Sequence, residues 1–146
     1  MKELICRPIG LIRSPFGEQE GMPIQAAFSD AHGTVEVDLA YAAGLKDIEG
    51  FSHIILVYWF HHSQGYRLQA RPFLDQEERG VFAMRHPARP NPIGISVVEL
   101  VARERNCLQV RGIDVLDHTP LLDIKPFIPP FDHREGARIG WLTDKV

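Results

Sequence analysis

Apolar positions along the chain repeat mostly with a period of two. Residues 33–38, Gly33-Thr34-Val35-Glu36-Val37-Asp38, alternate strictly and predict a half-buried strand. Residues 3–12 alternate loosely and predict another, ending at the turn cluster Arg13-Ser14-Pro15-Phe16-Gly17. Residues 51–61 are almost continuously apolar and rich in β-branched and aromatic side chains, which predicts a buried central strand. A short strand is expected over 80–84. Strands over 94–103 and 107–115 form a hairpin around Glu104-Arg105-Asn106, and a last strand covers 121–127. Helical spacing appears once, at 39–48, through Leu39, Ala42, Ala43 and Leu45, with Gly50 just after it. Residues 65–78 read as an exposed polar loop, and the polar C-terminus has one anchor, Trp141. About seven strands and one or two short helices predict a mainly-β fold, a small antiparallel barrel, because closure removes exposed strand edges. No repeat, linker or low-complexity tract interrupts the chain, so residues 1–146 read as a single domain.

Two stretches break the alternation. The first is Met84-Arg85-His86-Pro87-Ala88-Arg89-Pro90-Asn91-Pro92-Ile93-Gly94-Ile95-Ser96. Proline lacks the amide donor and forces its predecessor toward extended geometry, so this run is a stiff loop. It offers two cations, Arg85 and Arg89, for an anionic or polar small molecule. The second is Asp114-Val115-Leu116-Asp117-His118-Thr119-Pro120-Leu121-Leu122-Asp123-Ile124-Lys125-Pro126. Asp117 and Thr119 are turn-forming residues able to bond nearby backbone. Asp123 and Lys125 share one strand face, which is either solvated or the lining of a polar pocket.

Composition changes this picture little. Apolar residues make up 45% of the chain and charged residues 24%, the balance of a globular domain. The longest apolar segment is too short to span a membrane. Two cysteines, Cys6 and Cys107, and an N-terminus without a signal-peptide core point to a reduced, cytoplasmic protein. The net charge of −3 argues against nucleic acid, but residues 67–111 carry eight arginines against five carboxylates. Arginine's planar fork suits phosphate. The histidines lack ligand spacing, since neighbours such as His61 and His62 point to opposite sides of a strand. No metal site is expected. Neither a nucleophile elbow nor a phosphate-binding glycine loop is present.

In order along the chain, Arg89-Pro90-Asn91-Pro92-Ile93-Gly94, Asp114-Val115-Leu116-Asp117, Thr119-Pro120 and Asp123-Ile124-Lys125-Pro126 resemble the TsaA-like (YaeB, or TrmO) family. Ile9-Gly10, Arg13-Ser14-Pro15, Pro23 with Gln25, and Gly44-Leu45 through Gly50-Phe51-Ser52-His53-Ile54 extend the likeness over nearly the whole chain. The resemblance implies a small β-barrel that works as a homodimer. It implies an S-adenosylmethionine-dependent methyltransferase acting on N6 of threonylcarbamoyl-adenosine at position 37 of tRNA, held by its anticodon arm. Carried over residue by residue, it puts methyl-donor contacts on Gln25, His61, Arg85, Ile95, Asp117, His118, Thr119 and Pro120. Arg89 is a second candidate for the donor's carboxylate, and Leu116 for packing its ring. Asp117 and His118 are the candidate general bases for the proton on the acceptor nitrogen. Arg67, Arg71 and Arg79 are candidates for the RNA. His86 stands where the family commonly has serine, and His118 where it commonly has glycine. Alternatives are a methyltransferase for another RNA base or a small molecule, and a donor-binding module without turnover.

Overall fold

Six of the seven predicted strands close into one barrel. The computed structural model describes residues 1–17, 23 and 29–146. Its strands are β1 (Gly10–Arg13), β2 (His32–Val37), β3 (His53–Trp59), β4 (Gln69–Ala70), β5 (Arg79–Gly80), β6 (Ile93–Glu104), β7 (Cys107–Arg111) and β8 (Thr119–Pro126). The closed order is β1-β2-β7-β6-β3-β8, and every neighbouring pair is antiparallel. Two units are distinguished: Met1–His61 with Ile93–Phe127, and His62–Pro92 with Ile128–Val146.

The first unit is the barrel. Its core takes alternate residues from each strand: Ile12, Val35, Val37, Ile54, Leu56, Tyr58, Val98, Leu108, Val110 and Leu121. Alternation in β2 is therefore what the sequence predicts. β3 differs. Its unbroken apolar run is buried on one face only, because a barrel wall has a single inner side. Ile55 and Val57 are half-buried and Trp59 is exposed on the other face. Cross-strand partners extend that outer apolar stripe, with Trp59 opposite Ile93, Val57 opposite Ile95 and Ile55 opposite Val97.

Other boundaries shift for local reasons. β1 begins only at Gly10, and residues 1–8 are exposed. A side chain at position 10 would meet the Glu36 carbonyl oxygen at 2.0 Å, so β1 and β2 approach closely only because glycine stands there. The predicted helix over 39–48 is instead two 3-10 segments, Leu39–Leu45 and Ile48–Gly50. Leu45 is their one buried residue among those described, too little apolar surface to hold a full α-helix. β7 ends at Arg111, where Gly112 turns the chain with φ +94° and donates to Ala31. The hairpin of β6 and β7 closes through Arg105, φ +56°, and Asn106. β8 starts two residues earlier than predicted, and the register shifts opposite Val57 and Tyr58. That bulge brings Leu121 and Ile124 both to the core.

The second unit holds the β4–β5 ribbon, a 3-10 turn at Val81–Ala83, the proline run to Pro92 and the C-terminal segment with α1 (Pro129–Asp132). The strand expected over 80–84 is reduced to Arg79–Gly80 because Val81 alone of its apolar residues is buried. Asp75 organises this unit. It accepts from the backbone N–H of Gln76 and Glu77 and pairs with Arg79 and with Lys145. Arg79 also meets Glu77 and lies 5.6 Å over the Trp141 ring. The Trp141 indole donates to the Ala83 carbonyl at 2.8 Å, so Trp141 is an anchor as expected.

Candidate functional site

Within the barrel unit, the stretch between β7 and β8 carries most of the predicted donor contacts. Two quoted motifs interlock here. Ser14 Oγ donates to the Val115 carbonyl at 2.6 Å. Ser14 N–H donates to Asp117 Oδ1 at 3.0 Å, and Asp117 N–H donates to the Phe16 carbonyl at 2.8 Å. The turn after β1 and the turn before β8 are thus one hydrogen-bonded unit. Asp117 bonds the His118 backbone in its own turn, and it does more than that. It clamps a segment more than a hundred residues away in sequence.

The other Asp117 oxygen, Oδ2, receives the Nδ1–H of His118 at 2.9 Å. The Ser14 N–H holds the Asp117 carboxyl below its ordinary value, burial opposes this, and His118 adds to it. Asp117 is therefore ionised at neutral pH and a poor proton acceptor. The His118 Nδ1–H is directed by Asp117, which leaves the Nε2 lone pair to accept from an Arg13 guanidinium N–H at 3.5 Å. Arg13 is itself held by Glu36 through two bonds of 3.2 and 3.1 Å. His118 adopts φ +63°, the left-handed region glycine favours. That backbone matches the expectation that glycine commonly occupies this position, and here it exposes an imidazole instead.

Thr119 is buried, and its hydroxyl donates to the Leu116 carbonyl at 2.6 Å, which shapes the turn. Leu116 and Pro120 are half-buried beside it. Asp123 and Lys125 pair with each other at 3.0 Å opposite the outward residues Val57 and Ile55, so they sit on the outer face. Ile95 also faces outward and is 45% exposed. His61 is half-buried at the end of β3, edge-on to Trp59. Gln25 lies outside the described residues.

Arg85, His86 and Arg89 belong to the second unit. Arg85 is exposed. Arg89 turns back on its own loop, donating to the Met84 and His86 carbonyls at 3.0 and 3.1 Å. His86 Nδ1 accepts from the Ala88 N–H, so its proton is on Nε2. Burial lowers its affinity for a second proton, with the charges of Arg89 and Arg67 adding to the effect. The proline run is therefore a self-bonded loop in which Arg89 is partly structural. Among the candidate RNA arginines, Arg79 is committed to Asp75, Glu77 and Trp141. Arg67 reaches Glu78 at 3.7 Å, and Arg71 is exposed with no ion pair among the described residues.

Sequence reasoning did not select Tyr58, Ser96 or Asp114 as a group. Tyr58 and Ser96 are 2.8 Å apart through their oxygens, and Ser96 bonds Asp114. Gly94 makes room for this arrangement, since a side chain there would meet the Tyr58 and Phe60 rings at 2.5 and 2.6 Å. The signal available was a carboxylate and a hydroxyl at positions where β-alternation predicts burial. Among the described residues, no group of three His, Cys, Asp or Glu side chains converges as a metal site would. No helix among them is long and apolar enough to cross a membrane.

The tRNA-methyltransferase O N-terminal domain family matches residues 11–133. A probable S-adenosyl-L-methionine-binding protein of Pyrococcus abyssi is 59% identical over 145 residues, covering 98% of this chain and 79% of the relative. The tRNA (adenine(37)-N6)-methyltransferase of Escherichia coli is 36% identical over 132 residues, covering 83% of this chain and 56% of that enzyme. The crystal structure of TrmO from Pseudomonas aeruginosa superposes with a TM-score of 0.81 at 39% identity, over 95% of this chain and 62% of that one. The chain thus spans about three fifths of the solved structures it matches. A family match over most of the chain, carried by the same barrel, establishes that the protein belongs to the tRNA-methyltransferase O family.

Proposed function

We propose that this protein transfers a methyl group from S-adenosylmethionine to N6 of threonylcarbamoyl-adenosine at position 37 of tRNA. The Asp117–His118 pair is the observation that carries the reading, set within a family whose relatives are named for the donor and for tRNA methylation. The donor set fits the cofactor by its chemistry. An ionised carboxylate, Asp117, suits its ammonium or sulfonium. Half-buried Leu116 suits its adenine ring. Gln25, His61, Ile95, Thr119 and Pro120 complete the proposed contacts.

The donor supplies an electrophilic methyl carbon. The acceptor nitrogen forms the new N–C bond as the S–C bond breaks, and the sulfonium becomes a neutral thioether. His118 Nε2 exchanges its 3.5 Å contact with the Arg13 N–H for the acceptor's proton, while Asp117 keeps the imidazole oriented and stabilises it once charged. Arg71 and Arg67 are proposed to meet RNA phosphates. A homodimer, supported by the outer apolar stripe of Trp59, Val57, Ile55, Ile93, Ile95 and Val97, and a cytoplasmic location belong to the same reading.

Incubation with labelled donor and total tRNA, with and without the threonylcarbamoyl group, tests it. Label is expected in the modified adenosine alone. Label in another base supports a different RNA methyltransferase, and donor binding with no label in RNA supports a binding module. Replacing Asp117→Asn is expected to weaken donor binding through the lost charge and to lower turnover by a larger factor. Equal losses in both would remove Asp117 from the catalytic pair.

A further inference from the structure

The barrel interior is apolar except at a few positions. Its buried polar residues among those described are Ser96, Asp114 and Thr119, at 3%, 8% and 3% exposure. Thr119 is accounted for by its bond to the Leu116 carbonyl. Ser96 and Asp114 belong to a separate chain of hydrogen bonds with Tyr58, itself buried in β3. Ser96 Oγ has one hydrogen and donates it to Asp114 Oδ1 at 2.5 Å. The 2.8 Å contact with Tyr58 is then a bond in which the phenol O–H donates to Ser96. The chain joins Tyr58, whose phenol O–H also lies 3.4 Å from the Ile95 carbonyl, through Ser96 to the Asp114 carboxylate.

Such a chain is not what barrel stability calls for. Taking a carboxylate out of water is costly, and apolar groups of similar volume commonly leave a fold as stable or more so. A fully satisfied polar network instead fixes one arrangement of the segments it joins. Here those segments are β3, β6 and the irregular stretch after β7. Ser96 directly follows Ile95. Asp114 opens the stretch that continues through Leu116, Asp117, His118, Thr119 and Pro120. The buried chain therefore ties the beginning of the candidate donor turn to the strand beside it from inside the barrel. The Ser14 contacts tie the same turn through Val115 and Asp117.

We propose that Tyr58, Ser96 and Asp114 are positioning residues for the methyl donor, holding the turn at 114–120 in its donor-binding form. This rests on the reading of that turn as part of the donor site. None of the three needs to touch the donor. They act by removing alternative turn conformations that binding would otherwise have to select against.

Tyr58→Phe and Ser96→Ala each delete one hydroxyl without adding volume. Donor affinity is measured by calorimetry on the full chain, well below each variant's melting temperature, which is recorded alongside. Ser96→Ala is expected to weaken donor binding about tenfold, because it severs the link to the carboxylate. Tyr58→Phe leaves that link intact and is expected to cost about threefold. The double variant should bind no worse than Ser96→Ala alone, as expected of one chain rather than two contacts. Donor affinities within twofold of the parent in both single variants, with only melting temperature lowered, overturn the proposal. If Ser96→Ala does not fold, Tyr58→Phe decides the matter alone. Leu116→Ala separates the two levels of the reading. Weakened binding there with parent-like Ser96→Ala and Tyr58→Phe sinks this inference only. Parent-like binding in all three sinks the assignment of the turn as well.

Discussion

The barrel and the second unit are built on opposite principles. The barrel carries eight basic and thirteen acidic residues, and the second unit eight basic and six acidic. The barrel buries an apolar residue from each of its strands, so its stability is spread over a shared core. In the second unit Ala70 and Val81 are the buried apolar residues among those described. Its order comes from Asp75 with Arg79 and Lys145, from Trp141 against Arg79 and Ala83, and from the loop bonds of Arg89 and His86. Hydrophobic burial is insensitive to pH and weakly dependent on exact geometry, whereas a charge cluster depends on both. The two units should therefore respond to different perturbations.

The largest separation is expected from core truncation. Leu56→Ala removes a fully buried barrel side chain and should cost about 2–5 kcal/mol in denaturant unfolding. Val81→Ala, the matching change in the second unit, should cost about 1–2 kcal/mol, because it removes less from a smaller cluster. Equal losses would mean that the second unit has a core of its own after all.

Next comes Gly94→Ala. The added methyl meets the Tyr58 and Phe60 rings well inside contact distance, and overpacking of this kind costs about 1–3 kcal/mol. A neutral result would show that the rings can move aside, and with them the buried hydroxyl of Tyr58.

Asp75 gives the sharpest contrast in pH. Arg79 beside it holds its carboxyl well below the ordinary value of 3.8, burial opposes this, and Lys145 and two backbone N–H groups add to it. A carboxyl lowered by folding stabilises fully above its unfolded value, and that contribution fades as pH falls toward the folded value. Acidification below about pH 4 is thus expected to loosen the C-terminal segment while the barrel stays folded. Asp75→Asn should mimic this at neutral pH. Trp141 fluorescence in a Trp59→Phe background reports it, as a shift to a more solvated indole. Simultaneous loss of barrel structure would show that the two units unfold as one.

The smallest expected effect is at Arg71. Arg71→Ala should leave stability within about 0.5 kcal/mol of the parent. It should flatten the salt dependence of tRNA binding by about one unit of slope. An unchanged slope would remove Arg71 from the RNA surface.

Much of the barrel is legible because period-two alternation is a local property. Val35 and Val37 show it plainly, and they are buried as read. β3 conceals it, since Ile55 and Val57 are as apolar as Ile54 and Leu56 although only the latter pair faces the core. The bulge near Leu122 is also hidden, because a one-residue slip leaves no mark on composition. The turn at 114–120 could be read from its aspartates and prolines, but not the contacts of Asp117, whose partner Ser14 lies at the far end of the barrel's sequence. Arg79 reads as a free cation beside Arg67 and Arg71, and only the placement of Asp75 and Trp141 makes it structural.

By itself, then, the sequence determined that this is a small β-barrel of this family, with its stiff proline run and its aspartate-rich turn in place. Those features are short-range, written in alternation and in the fixed φ of proline. Tertiary structure alone decided which side chains meet: Asp117 with Ser14 and His118, Arg89 with its own loop, and Tyr58 with Ser96 and Asp114. Each of these pairings depends on barrel closure, strand register or the exact path of a loop, and no local pattern encodes the register between strands formed by distant segments.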